Sequence, residues 1–302
     1  MVILSLFDGI SCGRIALEIS GIRVTKYYSS EIDEKAIIMS KSMYNDIHRL
    51  GDVKKWKEWN IDWSSIDLII GGSPCQSFSR SGDGSGFDGK SGLFYDYIDI
   101  CNYIADRNPK IKFLLENVVM KKQWENVITE ELGVKPILID SSLVSAQKRQ
   151  RLYWTNIKEI EQPKDQNIYV ESILDFEPSF VDIGELMWKI GDQYVVRNAT
   201  KQGFDVVNNF DVINLDFPKS KTRRGRVGRR KANTLNTGCN QGVFICGFVK
   251  KITPIEACRL QTIPEKKIDQ ILKSGVSNRD IYRAIGNGWT VKVISHILDK
   301  LK

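Results

Sequence analysis

Short apolar runs alternate with stretches of helical spacing along the first half of the chain. Val2-Ile3-Leu4-Ser5-Leu6-Phe7 reads as a buried strand. Asp8-Gly9-Ile10-Ser11-Cys12-Gly13 is a glycine-bearing turn, and Arg14–Ser20 follows as a helix with Ile15, Ala16 and Ile19 on one face. Val24–Ser30 is a second strand that ends at Glu31, and Asp33–Tyr44 is a helix with Asp33 as its N-cap. Ile66–Ile70, Lys112–Leu115 and Val134–Asp140 read as further strands, with Leu93–Ala105 and Gln123–Leu132 as helices between them. Strand–helix alternation of this kind predicts an α/β fold on a mostly parallel sheet. From about residue 157 to 246 the rhythm stops, and the chain is polar and irregular with short β-like pieces such as Gln193–Val196. Order returns at Thr253-Pro254-Ile255-Glu256, which has a cap, a first-turn proline and an N3 acid. A Gly286-Asn287-Gly288-Trp289 turn then opens the last helix. The division expected is one body from 1–156 and 251–302, with a smaller irregular unit from 157–250.

Charge changes this picture. The 302 residues carry a net charge of +7, which suits a polyanionic partner. The densest cluster lies in the irregular part: Lys219, Lys221, Arg223, Arg224, Arg226, Arg229, Arg230 and Lys231, interrupted by Gly225 and Gly228. A flexible basic loop of this kind suits a phosphate backbone, although a basic run is also often a solvated face. No apolar run is long enough to span a bilayer, and Val2–Phe7 is too short for a secretion signal. Six cysteines without a CxxC pair argue against structural zinc or a disulfide framework and fit a reducing, cytoplasmic setting.

The candidate chemistry clusters where predicted strands end. The Gly9 turn opening a helix, with Glu31 twenty-two residues on, has the layout of a nucleotide-binding unit whose acid grips ribose hydroxyls. Asp52 is a candidate acceptor for a base amine, or a turn cap. Trp56, Trp59 and Trp63 read as packing anchors. Gly71-Gly72-Ser73-Pro74 ends the Ile66–Ile70 strand and presents Cys75, a thiol that is useful there only as a thiolate. The Ser79–Gly92 stretch is rich in Gly, Ser and Asp and reads as a loop able to close on substrate. Glu116-Asn117-Val118 ends the strand expected beside that of Cys75. Gln147, Arg149 and Arg151 sit at period two, which in an extended segment lines one face with a row for an anionic or carbonyl-rich ligand.

Together these segments resemble the cytosine-C5 DNA methyltransferase family over residues 1–156 and 251–302, with the motifs in family order. Phe7–Gly13 looks like the first cofactor motif, Ser73-Pro74-Cys75-Gln76 the nucleophile loop, Glu116-Asn117-Val118 the ENV motif and Gln147-x-Arg149-x-Arg151 the QxRxR motif. Arg229–Gly238 with Ala257–Gln261, and Gly286-Asn287, resemble the ninth and tenth motifs. Asp8 and Ser11-Cys12 stand where the family usually has Ala and Gly-Gly, and Gly288-Trp289 where it has Ser; both look more like the de novo subgroup. The resemblance implies a Rossmann-like methyltransferase domain and a target-recognition domain at 157–250. It implies S-adenosylmethionine held by Phe7, Asp8, Gly9, Ser11, Cys12, Glu31, Ile32, Asp52, Val53, Pro74, Leu93, Asn287 and Trp289, and no metal. It makes Cys75 the nucleophile on C6 of a flipped cytosine, Glu116 its N3 partner, and Arg149 and Arg151 fixed positive charges. Gln76, Ser79, Arg223, Arg224, Arg226 and Arg229 are the expected contacts to double-stranded DNA. A monomer is expected, and a cognate restriction endonuclease is left open. The rival readings are a transfer-RNA methyltransferase of the same fold, whose Cys-Phe-Thr signature is missing, and an inactive DNA-binding homologue, which has no need of Cys75, Glu116 and Arg151 together.

Overall fold

The computed structural model describes residues 1–74, 92–175, 177 and 179–302. Its centre is a seven-stranded sheet of β1 (Val2–Leu6), β2 (Lys26–Ser30), β3 (His48–Arg49), β4 (Leu68–Gly71), β5 (Lys112–Val118), β6 (Ile137–Asp140) and β7 (Gln150–Thr155), in the spatial order β3-β2-β1-β4-β5-β7-β6. Strands β1 to β5 pair in parallel, whereas β7 runs antiparallel to β5 and β6. The chain steps outward from β1 to β3 and then returns to lay β4 on the other side of β1. That reversal makes the carboxyl ends of β1 and β4 the place where an α/β sheet opens a crevice.

The apolar strands are continuous because both faces of the sheet are covered. In β1, Ile3 enters one core with Ile15, Ile70 and Ile294, while Leu4 and Leu6 enter another with Ile69, Phe94 and Leu115. Helices α1 (Cys12–Ile19), α2 (Glu34–Met43), α3 (Leu93–Ala105) and α4 (Lys122–Leu132) supply the crossovers. Trp56 and Trp63 pack edge-on against Tyr103, each at 5.2 Å between ring centres, and Trp59 stacks on Trp63. The three tryptophans are therefore packing anchors.

The middle of the chain is more regular than its sequence suggests. It forms β8 (Phe180–Val181), β9 (Met187–Ile190), β10 (Gln193–Arg197), β11 (Phe204–Val207), β12 (Val212–Asn214), β13 (Val227–Gly228), β14 (Gln241–Ile245) and β15 (Phe248–Lys251). These make a three-stranded sheet and a five-stranded one, both antiparallel in every pairing. Strands of two to five residues leave too little alternation to read from sequence. The last strand runs to Lys251 and straddles the expected boundary at residue 250.

Four helices complete the fold: α5 (Pro254–Leu260), α6 (Glu265–Leu272), α7 (Asn278–Asn287) and α8 (Val291–Leu298). Thr253 and Glu256 form the expected capping box on α5. A buried ionic cluster binds β15 to α5. Lys250 Nζ lies 2.5 Å from Glu256 Oε1 and 3.0 Å from Asp175 Oδ1, and the Thr253 hydroxyl donates to Asp175 Oδ2. Helix α8 brings the end of the chain back to α1, where Ser20 and Ser295 hydroxyls lie 2.9 Å apart. The tenth-motif turn between α7 and α8 is thereby set against the first-motif turn.

Candidate active site

The crevice holds a cavity of about 280 Å³, close to the lower end of the range for small-molecule sites, roughly 300–1,000 Å³. Its wall comes from the turn after β1 (Phe7, Asp8, Gly9, Cys12) and the end of β2 (Glu31, Ile32). The ends of β4 and β5 add Gly72, Ser73, Pro74 and Glu116, with Leu93, Arg149 and Arg151 beside them. Gly286, Asn287, Gly288 and Trp289 close it from the far end of the chain.

The first turn is strained and held by one carboxylate. Phe7, Gly9 and Ser11 all have left-handed backbone, at φ 57°, 54° and 63°. Asp8 accepts from Ser5 Oγ at 2.6 Å, Tyr27 Oη at 2.7 Å, Ser11 Oγ at 2.6 Å and Ser29 Oγ at 2.8 Å. Two bonds on each oxygen fill its acceptor sites. Asp8 therefore organises the cavity wall without offering its carboxylate to a ligand. Ser11, also expected at the cofactor, is fully buried in this network and does not line the cavity.

Glu31 is placed otherwise. Its Oε2 accepts from the Gly9 amide at 2.7 Å, and its Oε1 from the Ile32 and Asp33 amides at 2.8 Å each. Burial raises its pKa, against the lowering by those three amides. Two further expectations need correction. Asp52 caps the turn at Val53–Glu58 by accepting from the Lys54 amide, and Val53 is buried in the core. Neither lines the cavity; the chain at 51–53 turns toward the sheet instead.

Glu116 sits on β5 opposite Tyr153 of β7, which puts Arg151 diagonally beside it on the same face. Arg151 Nε lies 2.9 Å from Glu116 Oε1. The other oxygen accepts from Trp289 Nε1 at 3.0 Å, across 173 residues. The sequence places Trp289 only among the residues expected at the cofactor, and nothing in either motif alone announces this bond. Gly72 is required beneath the pair, because a Cβ there would stand 2.9 Å from Trp289 Nε1 and 3.0 Å from Glu116 Oε2.

The expected row of Gln147, Arg149 and Arg151 does not form one readout face. Strand β7 begins only at Gln150. Gln147 is fully buried, accepts from the Leu235 amide and donates to Leu260 O. Arg149 reaches the cavity wall, but its guanidinium donates to the carbonyls of Leu235, Gly286 and Gly288 at 2.9–3.2 Å. It ties the tenth-motif turn to the 235 segment. Of the three, Arg151 alone pairs with Glu116.

Cys75, Gln76 and Ser79, with most of the Ser79–Gly92 loop, lie outside the described residues. Among the described thiols, Cys12 at the cavity wall is pushed up to about 12 by burial, and Cys101 and Cys239 likewise. Cys258 is raised further by the same cause. None of these four is a thiolate at neutral pH. Among the described residues no cluster of His, Cys, Asp or Glu is arranged to hold a metal, and no helix is long and apolar enough to cross a membrane.

The basic run divides. Arg226 is buried and donates to the carbonyls of Asn214, Asp216 and Phe217 at 2.9–3.0 Å, so it is a structural clamp and not a phosphate contact. Lys231 is buried on the carbonyls of Ser142 and Ser145. Arg229 pairs with Asp211 at 2.6 Å and Arg230 with Glu171 at 2.5 Å. Arg223 donates to Asn214 Oδ1, and Arg224, though exposed, to Ala199 O. Arg226→Ala should thus cost roughly 2–4 kcal/mol of stability, because three carbonyls lose a charged donor; urea denaturation of the variant measures it. A native midpoint would return Arg226 to the set of free surface cations.

A family model of C-5 cytosine-specific DNA methylases matches residues 1–302. Type II methyltransferase M1.ScrFI of Lactococcus lactis subsp. cremoris is 29% identical, over 99% of this chain and 77% of its own. Type II methyltransferase M.HpaII of Haemophilus parainfluenzae is 27% identical, over 99% of this chain and 89% of its own. Among solved structures, Entamoeba histolytica methyltransferase EhMeth superposes with a TM-score of 0.65 at 18% identity, covering 100% of this chain and 99% of that one. A likeness at that identity speaks for the fold.

Proposed function

The chain belongs to the C-5 cytosine-specific DNA methylase family, and from that premise we propose that it methylates C5 of a cytosine flipped out of a specific duplex DNA sequence. The methyl donor is S-adenosylmethionine. The observation that carries the reading is the meeting of Glu116, Arg151 and Trp289 in the lining of a cavity to which the end of β2, three strands from β5, contributes Glu31.

The cavity suits this donor. Glu31 is fixed by three amides, with one acceptor site left on Oε2 for a ribose hydroxyl. Phe7, Ile32, Pro74, Leu93 and Trp289 give apolar surface for the adenosine, and Gly9 and Asn287 give polar backbone and amide groups. When bound, the donor supplies an electrophilic methyl group. The chain's own residues must make C5 able to take it, because a cytosine ring is a weak carbon nucleophile. Cys75 as thiolate adds to C6, and the electron pair displaced from the C5–C6 bond makes C5 nucleophilic. Glu116 meets the N3 edge and relays a solvent proton to N3, which neutralises the charge arriving in the ring, and takes that proton back when the ring is restored. Arg151 holds Glu116 in place through Oε1. Trp289 holds Oε2 through one hydrogen bond, which leaves that oxygen a second site for the base edge. After methylation C5 loses its proton to a base, the Cys75–C6 bond breaks and the ring is restored. The base must leave the stack for this, at a cost of about a few kcal/mol.

Trp289→Phe keeps the aromatic face and removes the donor to Glu116. Roughly tenfold lower kcat is expected, with little change in the KM of the methyl donor. A change confined to KM would assign Trp289 to cofactor packing alone. The function itself is tested by expressing the chain in a host without DNA methylation and mapping 5-methylcytosine at base resolution. One short recurring methylated sequence is expected. Unmethylated DNA from soluble, folded protein would overturn the reading.

A further inference from the structure

Phe217 stands out on the antiparallel part of the molecule. It is 73% exposed, the highest value among its large apolar side chains in the described residues. Its backbone is left-handed, at φ 49°, a conformation that is rare and costly for a bulky residue unless the surroundings enforce it. Those surroundings are the buried Arg226, which gathers the carbonyls of Asn214, Asp216 and Phe217 itself. The fold thus uses a buried guanidinium to hold an aromatic ring out in water.

The ring's setting names its partner. Lys219, Lys221 and Arg224 are exposed within seven residues of it. Arg223 lies 5.5 Å from the ring centre on one side, tied to Asn214. An isolated exposed ring invites aggregation, but a ring inside a cluster of cations fits a polyanion whose monomers have flat apolar faces. The turn is also coupled to the cavity. Asp216 Oδ2 accepts from Asn236 Nδ2 at 3.0 Å. The Asn236 carbonyl in turn presses on the cavity-lining Gly286, where a Cβ would come within 2.4 Å of it.

We propose that Phe217 is an apolar wedge that stacks on, or enters between, base pairs of the bound DNA duplex, with Arg226 as the residue that positions it. The proposal rests on the DNA reading above and adds to it a contact that is neither phosphate pairing nor base-edge hydrogen bonding. Wedges of this kind unstack a base step and bend the duplex. The link from this turn through Asp216 and Asn236 to Gly286 couples that distortion to the cavity, and an unstacked step lowers the cost of extruding a base.

The test is fluorescence anisotropy of a labelled mixed-sequence duplex, titrated at several salt concentrations with the native chain, Phe217→Ala, Phe217→Trp and Lys219→Ala. Phe217→Ala should weaken binding on the order of tenfold to a hundredfold, as loss of base–aromatic stacking does. Its slope of log Kd against log salt should stay native, and Phe217→Trp should bind as the native chain does. Lys219→Ala should lower that slope by about one. Native affinity in Phe217→Ala would overturn the proposal. So would a reduced salt slope in that variant, which would mark a lost phosphate contact. A DNA-independent dimer that Phe217→Ala dissolves would assign the ring to a second copy of the chain, and a Phe217-dependent preference for an RNA hairpin would assign it to RNA. A native chain that binds the duplex but leaves no 5-methylcytosine would sink the proposed function and leave the Phe217 comparison readable.

Discussion

A chain carrying Cys75→Ala should transfer no methyl group to DNA while binding duplex DNA with close to native affinity. Alanine has no atom to add to C6, so the ring never acquires a nucleophilic C5. The loss expected for removing a covalent nucleophile is on the order of 10⁴-fold or more in kcat. No described thiol at the cavity can stand in. Cys12 lines the wall, but burial pushes its pKa up to about 12 and keeps it protonated. Cys246 is exposed, yet it sits on the tight turn between β14 and β15. The measurement is transfer of a radiolabelled methyl group, paired with a duplex carrying 5-fluorocytosine at the mapped target. Fluorine at C5 cannot leave as a proton, so the native chain should remain bonded to that DNA under denaturing conditions. The alanine variant should come free. Retained methylation in the variant would remove Cys75 from the mechanism altogether.

Lys250→Met should cost about 3–5 kcal/mol of folding stability, the range for breaking a buried ion pair from one side. Lys250 and Glu256 are both almost wholly buried, and removing the ammonium leaves the Glu256 and Asp175 carboxylates facing each other without it. Adding Glu256→Gln should recover much of the loss. The pH dependence has a definite sign. Burial alone would raise the Asp175 pKa, but hydrogen bonds from Thr253 and Lys250, with the charge of Lys250, hold it below the usual carboxylate value. A depressed folded pKa gives stability that is present above the unfolded value, near 3.9, and lost as pH falls through the folded one. The stability gap between native and Lys250→Met chains should therefore narrow below about pH 4. Urea unfolding across that range tests both statements. A gap indifferent to pH would show that the cluster acts by packing and not by charge.

What the sequence made legible was whatever short-range pattern controls. The strand ending at Glu31, the helix Leu93–Ala105 and the capping box at Thr253 follow from neighbours within a few residues, and the structure has them. The mostly parallel sheet follows from their alternation. The bond from Trp289 to Glu116 was illegible because it joins residues 173 positions apart. Period two misled at Gln147–Arg151 because the segment becomes a strand only at Gln150, so one guanidinium reaches Glu116 while the other two side chains knit loops together. Arg223 and Arg226 look alike as letters in a basic run. What separates them is that three carbonyls converge on one position and not the other, and convergence is a property of the fold. Asp8 misled in a similar way: a carboxylate beside a nucleotide-binding turn reads as a ligand group until four hydroxyls are found to claim it.

Strand β8 pairs with β15, and Ser179 and Lys251 exchange hydrogen bonds through the Lys251 amide and the Ser179 hydroxyl. The stretch between residues 179 and 251 therefore starts and finishes side by side, but it touches the α/β body again where Lys231 reaches the Ser142 and Ser145 carbonyls and Leu235 meets Gln147 and Arg149. A replacement confined to residues 180–228 would leave those contacts in place, whereas one that reached Leu235 would strip Arg149 of a carbonyl partner. The α/β body thus tolerates exchange of the inner part of this stretch and not of its return segment.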